Sequence, residues 1–153
     1  MMNSLETMPV ACTQGETASP AWLDSMEQLF VVHRSGSIVL FSHRFDGKVA
    51  PNPQDDDLHG AAIDAMDMLL GEILSNNGHI RQIVQEDKLL SFSYGQHCSF
   101  ILISKLHADD VTTHLARFAT AFELQFAAKL AKHFNIDIDE YQDARALVDA
   151  NFA

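Results

Sequence analysis

Eight histidines are the residues of this chain best suited to chemistry, because imidazole binds metal ions and exchanges protons near neutral pH. Their spacing matches no ligand pattern, since none pairs with another ligand as in HExxH and none belongs to a Cys/His cluster. His33 and His43 come nearest to a pair, because both lie on predicted neighbouring strands. The others are His59, His79, His97, His107, His114 and His133. We therefore predict scattered surface histidines, no metal site and no cofactor.

The acidic segment NIDIDEYQD, residues 135–143, is the next candidate, because it places oxygen ligands at alternate positions as a calcium loop does. Counted from Asn135, the sixth position is Glu140, where such a loop needs glycine. The twelfth position is Ala146, where it needs a bidentate glutamate. Capping of a following helix explains these acids better than calcium does.

Motifs of catalytic nucleophiles and of phosphate-binding loops are also missing from the sequence. Ser35-Gly36-Ser37 lacks the rest of a GxxxxGK[ST] or GxGxxG motif, so it is interpreted as a turn. No serine lies in a nucleophile elbow, and Cys98 lies in a predicted buried strand, where thiols are usually inert. The run Asp55–Asp57 is interpreted as a solvated loop and helix start. The sequence therefore predicts a protein that is not an enzyme.

The charge of the chain limits its partners. Ten Lys and Arg stand against 21 Asp and Glu, which gives a formal net charge of −11. Nucleic acids and anionic lipids both need a basic surface, so neither is an expected partner. No stretch approaches the ~20 apolar residues of a membrane span, so membrane insertion is not expected either.

The length of the chain, 153 residues, predicts one folded domain with a core rich in its ten phenylalanines. Residues 1–20 are rich in Thr, Ser, Gly and Pro and are expected to form a flexible leader before a single domain at 21–153. Cys12 and Cys98 make no disulfide framework, so we expect a reducing, cytoplasmic compartment.

Two apolar runs around a Ser-Gly turn predict an opening hairpin, Gln28–Arg34 with Ile38–Phe45, in which Gly36 supplies a positive φ. A helix at Leu58–Leu74 follows, because apolar residues recur at three- and four-residue spacing. The apolar face, expected to lie on the sheet, carries Leu58, Ala62, Met66, Leu69, Leu70 and Ile73. Asp64 and Met68 are expected on the outer face.

Three strands with short connections come next and predict an antiparallel meander: 79–86, 89–95 and 98–104. The runs Leu29–Val32 and Phe100–Ile103 are apolar without alternation, which is typical of strands buried on both faces. The first and fifth strands are therefore predicted to be central, and a helix must cover each face of the sheet.

The last third of the chain predicts a long helix and a shorter neighbour. The long helix has an apolar stripe at three- and four-residue spacing, Val111, Leu115, Phe118, Phe122, Phe126, Leu130 and Phe134. The neighbour is predicted at Asp139–Phe152, with Asp139 and Gln142 as a capping box. Its inward residues are expected to be Tyr141, Ala144, Val148 and Phe152.

This order, β-β-α-β-β-β-α-α, resembles the longin fold, an α+β class with a five-stranded antiparallel sheet, one helix on one face and two on the other. The resemblance rests on LFVVHRSGSIVLFSHRF, IDAMDMLLGEIL, IRQIVQEDKLLSFSYGQHCSFILIS and the closing pair ARFATAFELQFAAKL and ALVDANF. The related roadblock domains share the sheet but open with a helix, and AWLDSME at 21–27 keeps that relative open.

The resemblance implies binding rather than catalysis, because longin-like domains are scaffolds for small Ras-like GTPases, for SNARE segments or for each other. We therefore expect an adaptor in regulation of the membrane-traffic type that binds a small GTPase or a longin/roadblock-like chain, with a homodimer as one form. The candidate partner-binding residues are Met68, Asp64, Leu130 and Phe134. The predicted edge strands, 38–45 and 79–86, could also pair with another chain. The alternative is a profilin-like module that senses a small ligand in a pocket between sheet and helix.

Overall fold

The computed structural model of the protein describes residues 25–45, 53–75, 78–106, 111–131 and 136–152. The strands are β1 (Met26–His33), β2 (Ile38–Arg44), β3 (Gln82–Gln85), β4 (Lys88–Tyr94) and β5 (Cys98–Lys105). The helices are α1 (Pro53–Ile73), α2 (Val111–Gln125), α3 (Ala127–Leu130), a 3-10 turn (Ile138–Tyr141) and α4 (Ala144–Phe152).

The five strands form one antiparallel sheet in the order β2-β1-β5-β4-β3. The predicted central position of β1 and β5 is confirmed, and so are the two predicted edges, β2 and β3. The turn after β1 contains Gly36 at φ +101°, as its local sequence predicts. One helix, α1, covers one face of the sheet, while α2 and α4 cover the other, so the predicted fold class is confirmed.

The larger core lies between the sheet and the α2/α4 pair. Phe100 from β5 packs its ring edge against Phe118 and Phe122 of α2, with ring centroids 6.0 and 5.6 Å apart. Phe152 of α4 closes the cluster at 5.7 Å from Phe118. The predicted stripe of α2 is buried up to Leu130, and so are the four predicted inward residues of the final segment. This core is filled by aromatic rings.

The predicted long helix does not continue as one helix. Phe126 has φ −106° and ψ 18°, so α2 ends at Gln125, and the four-residue α3 follows it. Leu130, one of the candidate partner-binding residues, is fully buried in the larger core, so its side chain is not accessible to a partner. Phe134 lies outside the described residues. An apolar stripe with constant spacing gives no sign of such a break.

The final helix begins later than predicted. Asp137 accepts a hydrogen bond from the Asp139 backbone N–H at 3.1 Å and caps the short 3-10 turn, and α4 starts only at Ala144. The acidic segment 137–143 therefore forms a capped turn. Among the residues that the structure describes, no group of three or more His, Cys, Asp and Glu side chains is placed to hold a metal ion. Within the same residues, no helix is both long enough and apolar enough to cross a membrane.

Candidate protein-docking surface

The side of α1 that faces the sheet carries acidic side chains and a glycine. Asp56, Asp64 and Asp67 are buried there, together with Gly60. At Gly60 the helix comes so close that a Cβ atom would lie 2.7 Å from Cγ2 of Val39 and 3.1 Å from Cδ1 of Phe30. Glycine is therefore required for this approach of helix to sheet.

Two of the buried carboxylates bind groups on β2, on the turn that precedes it and on β5. Asp56 accepts from the Arg44 guanidinium at 3.0 Å, at the N-terminal end of α1. Asp64 accepts from the hydroxyls of Ser37 at 2.8 Å and Ser99 at 2.9 Å. Because a buried carboxylate without partners is strongly destabilising, these bonds are what allows an acidic face to point inward.

The third carboxylate ties α1 to the segment that leads into β3. Asp67 accepts from the Ile80 backbone N–H at 2.7 Å and lies 2.8 Å from Nδ1 of His79. The Tyr94 hydroxyl donates to the Ile80 carbonyl at 2.8 Å, and its ring stacks on His79 with centroids 4.3 Å apart. Burial, followed by the nearby Asp67 carboxylate, raises the pKa of Tyr94 above its ordinary value, so the phenol stays a proton donor. The C-terminal half of α1 is thereby held next to the segment 79–81 that leads into β3.

The opposite side of α1 is apolar and faces solvent. The exposed fractions are 65% for Leu58, 45% for Met66, 57% for Leu69, 39% for Leu70, 64% for Ile73 and 63% for Leu74. Together with exposed Ala62 they form a continuous stripe along the helix, with Leu74 at its C-terminal end. We call this surface the α1 stripe.

The prediction that this stripe packs on the sheet is wrong, and so is the prediction that Asp64 lies on the outer face. The helix is turned so that Asp64, 2% exposed, meets the sheet. Periodicity identifies which residues share a face but not which neighbour covers that face. Gly60 and the serines that bond Asp64 decide the orientation, and they lie on three separate elements.

Among the residues that the structure describes, none pairs with the outer side of the edge strand β3. Arg81 and the strand residues Ile83 and Gln85 direct their backbone groups to β4, as the bond from Phe92 N–H to the Arg81 carbonyl (3.0 Å) shows. The N–H and C=O groups of Gln82 and Val84 therefore point away from β4. The strand carries no charged residue, and the Val84 side chain is 60% exposed, so this edge lacks the usual protection against pairing.

Of the predicted partner-binding residues, only Met68 is exposed among those that the structure describes. Its exposed fraction is 56%, and its Sδ lies 3.9 Å from the Ser37 hydroxyl, at one margin of the α1 stripe. The α1 stripe was missing from the predicted docking surfaces, whereas the β3 edge lies within the predicted edge strand 79–86 that could pair with another chain. The amphipathic pattern of α1 was the available signal, and it was assigned to the wrong neighbour.

The histidine and cysteine side chains that were considered for chemistry make structural contacts. His33 is buried, contrary to prediction, and its Nε2 lies 3.2 Å from the Leu130 carbonyl while Nδ1 accepts from the Ser35 N–H at 3.2 Å. The ring thus joins β1 to the end of α3. Cys98 is fully buried, and burial followed by the Glu123 carboxylate raises the pKa of its thiol, which makes it a poor nucleophile.

A polar cleft of about 510 Å³ opens beside α1, and it is the feature relevant to the small-ligand alternative. Its lining includes Arg34, Asp64, Asp67, Glu72 and His79. Asp64 and Asp67 are already bonded to protein groups, and Arg34 donates to the Gly95 carbonyl at 3.3 Å. Two of its carboxylates, Asp64 and Asp67, are therefore occupied in holding α1 in place.

Comparison with known proteins gives a fold. No family model and no curated protein matches this chain. The Roadblock/LC7 domain from Streptomyces avermitilis superposes with a TM-score of 0.50 at 16% sequence identity, covering 75% of this chain and 100% of that one. The gliding protein MglB from Thermus thermophilus superposes at 0.44 with 15% identity, covering 72% and 82%. An MglB described with a tetrameric arrangement gives 0.43 and 16%, with the same coverage. The chain therefore has a roadblock/longin-like fold, and its resemblance to longin domains is supported as a likeness of fold.

Proposed function

We propose that this protein is a non-enzymatic adaptor that works by docking another folded chain on the α1 stripe, and that its first partner is a second copy of itself. The observation that carries the proposal is the orientation of α1. Its acidic side is buried and bonded, while its apolar side faces solvent.

An exposed stripe of this size needs a partner. From Leu58 to Leu74 it runs about 24 Å along the helix, since each helical residue adds ~1.5 Å. Contiguous apolar patches on this scale mark interaction sites, whereas isolated exposed apolar residues are common on any surface. The spacing of the stripe is typical of an amphipathic helix that is covered on one side.

The β3 edge supports a second copy as the occupant. Two identical edges can pair antiparallel about a two-fold axis that passes beside Ile83. Gln82 then exchanges both backbone hydrogen bonds with Val84 of the partner subunit, and Val84 does so with Gln82 of the partner subunit. This register uses all four outward backbone groups of each strand, with no charge in either strand to oppose it.

The two features adjoin, because Asp67 and Tyr94 hold the C-terminal half of α1 beside the segment that leads into β3. One partner can therefore cover Leu69, Leu70 and Ile73 while its own edge strand extends the sheet. The resulting pair presents a broad continuous sheet, and we propose a small Ras-like GTPase as the protein that such a platform receives.

The test of docking is the molar mass of the purified chain, measured by light scattering over a range of concentrations. The wild-type chain should show twice its monomer mass of 17.0 kDa. Leu69→Asp, which places a charge on the stripe, should be monomeric with an unchanged circular dichroism spectrum. Leu124→Asp is the matched control, since Leu124 is 80% exposed on α2, on the other side of the sheet, and should still associate.

A wild-type chain that is monomeric at every concentration would overturn self-association. Dissociation of Leu124→Asp but not of Leu69→Asp would move the interface to the opposite face. The GTPase step is tested separately by affinity capture from native lysate with a GTP analogue or GDP. Enrichment of a small GTPase in one nucleotide state, lost in Leu69→Asp, is the expected result, and equal recovery from both states argues against it.

A further inference from the structure

We propose that Met66 is a modification site, at which oxidation by hydrogen peroxide controls docking on the α1 stripe. The inference rests on the proposed function, because it concerns the same surface. Met66 is 45% exposed and lies within the apolar stripe, three and four residues before Leu69 and Leu70. Its side chain is therefore accessible to a small oxidant in the free chain and is covered once a partner has docked.

The chemistry is a two-electron oxygen transfer. A lone pair on Sδ of Met66 forms the S–O bond as the O–O bond of hydrogen peroxide breaks. The sulfur is oxidised to the sulfoxide, and the peroxide is reduced to water. The product replaces a flexible apolar group with a polar and chiral one, which disrupts surfaces that pack through methionine.

Symmetry doubles the effect in a pair of identical chains. Each copy contributes its own Met66, so the oxidised dimer would have to bury two sulfoxide oxygens among leucine and isoleucine side chains. Buried polar groups are costly unless they find hydrogen-bond partners, and the side chains along this stripe offer none. We expect oxidation to weaken self-association on the order of a hundredfold.

The other sulfur atoms of the described residues differ from Met66. Met26 and Cys98 are buried at 3% and 0% exposure, so they are shielded from solvent oxidants. Met68 is exposed, but it lies at the margin of the stripe, near the Ser37 hydroxyl. A comparison of substitutions at Met66 and Met68 therefore isolates the proposed site.

The experiment is sedimentation velocity on the full chain before and after graded hydrogen peroxide, with mass spectrometry to locate the added oxygen. The wild-type chain should associate first and dissociate as Met66 gains one oxygen. Peroxide should cause no loss of association in Met66→Leu relative to the untreated sample of the same variant. Met66→Gln, which mimics the polar sulfoxide, should associate weakly without peroxide. Met68→Leu should respond to peroxide as the wild-type chain does.

Strong association of Met66→Gln, or equal dissociation of Met66→Leu by peroxide, would overturn the inference and leave the proposed docking standing. A wild-type chain that is monomeric before any oxidation would remove the proposed function itself. These outcomes are distinct, since the untreated wild-type sample tests docking and the Met66 variants test its control.

Discussion

At the scale of single residues, His43 couples the stability of the fold to pH. Its ring lies between that of Phe41 on β2 and that of Phe45 just after the strand, with centroid distances of 6.4 and 4.8 Å. Burial lowers the pKa of His43 below its ordinary value of 6.5, and the Arg145 cation adds to this effect, while Asp149 opposes it. The folded chain therefore takes up a proton at this site less readily than the unfolded chain does.

The sign of the pH dependence follows from this difference. As pH falls through 6.5, the unfolded state binds a proton at His43 before the folded state does, so the free energy of unfolding decreases. At pH 8 both states are neutral there and the loss is absent. We expect the stability difference between wild type and His43→Gln to shrink as pH is lowered from 8 to 5.5 in urea titrations. A difference that stays constant over this range would contradict the assignment.

At the scale of elements, the edge strand β3 gives a sharper test than any side chain, because its outward groups belong to the backbone. Val84→Pro removes an N–H that points away from β4 and leaves the bonds of Ile83 and Gln85 to β4 intact. The variant should fold, lose less than about 1 kcal/mol of stability, and associate at least tenfold more weakly, as two edge bonds per pair are lost.

The control is Val84→Thr, which keeps the backbone N–H and a β-branched side chain, and sedimentation velocity compares the two variants. If Val84→Pro and Val84→Thr associate equally well, the β3 edge does not take part in pairing. Ile83→Pro makes a useful contrast, because it breaks an inward bond and should destabilise the sheet itself.

The elements also show what the sequence could predict. The strands, their antiparallel order and the buried stripe of α2 follow from patterns whose covering neighbour lies in the same chain. The α1 stripe shows the same pattern, but its inferred neighbour is another chain. Because the pattern does not say which neighbour covers a stripe, the sequence alone led to the prediction that this stripe packs on the sheet. The break at Phe126 leaves no trace in the spacing, and the inward position of Asp64 depends on serines 27 and 35 residues away.

At the scale of the whole molecule, association and folding stability are linked. A partner that binds only the folded state stabilises it by about 1.4 kcal/mol for each tenfold rise in free partner above the dissociation constant. For a domain of this size each kcal/mol shifts Tm by roughly 2–4 °C. We expect the Tm of the wild-type chain to rise by a few degrees with concentration in calorimetry, and that of Leu69→Asp to stay constant. A concentration-independent wild-type Tm would argue against self-association.

The outward α1 stripe also has a consequence for the newly made chain in a cell. Until it finds a partner, each molecule displays a row of leucine, isoleucine and methionine side chains of the kind that chaperones and quality-control proteases recognise. A chain in excess of its partner would be held or degraded, whereas a paired chain would escape. The abundance of the protein would then follow the supply of its partner, so α1 would influence the amount of the protein in the cell as well as its binding.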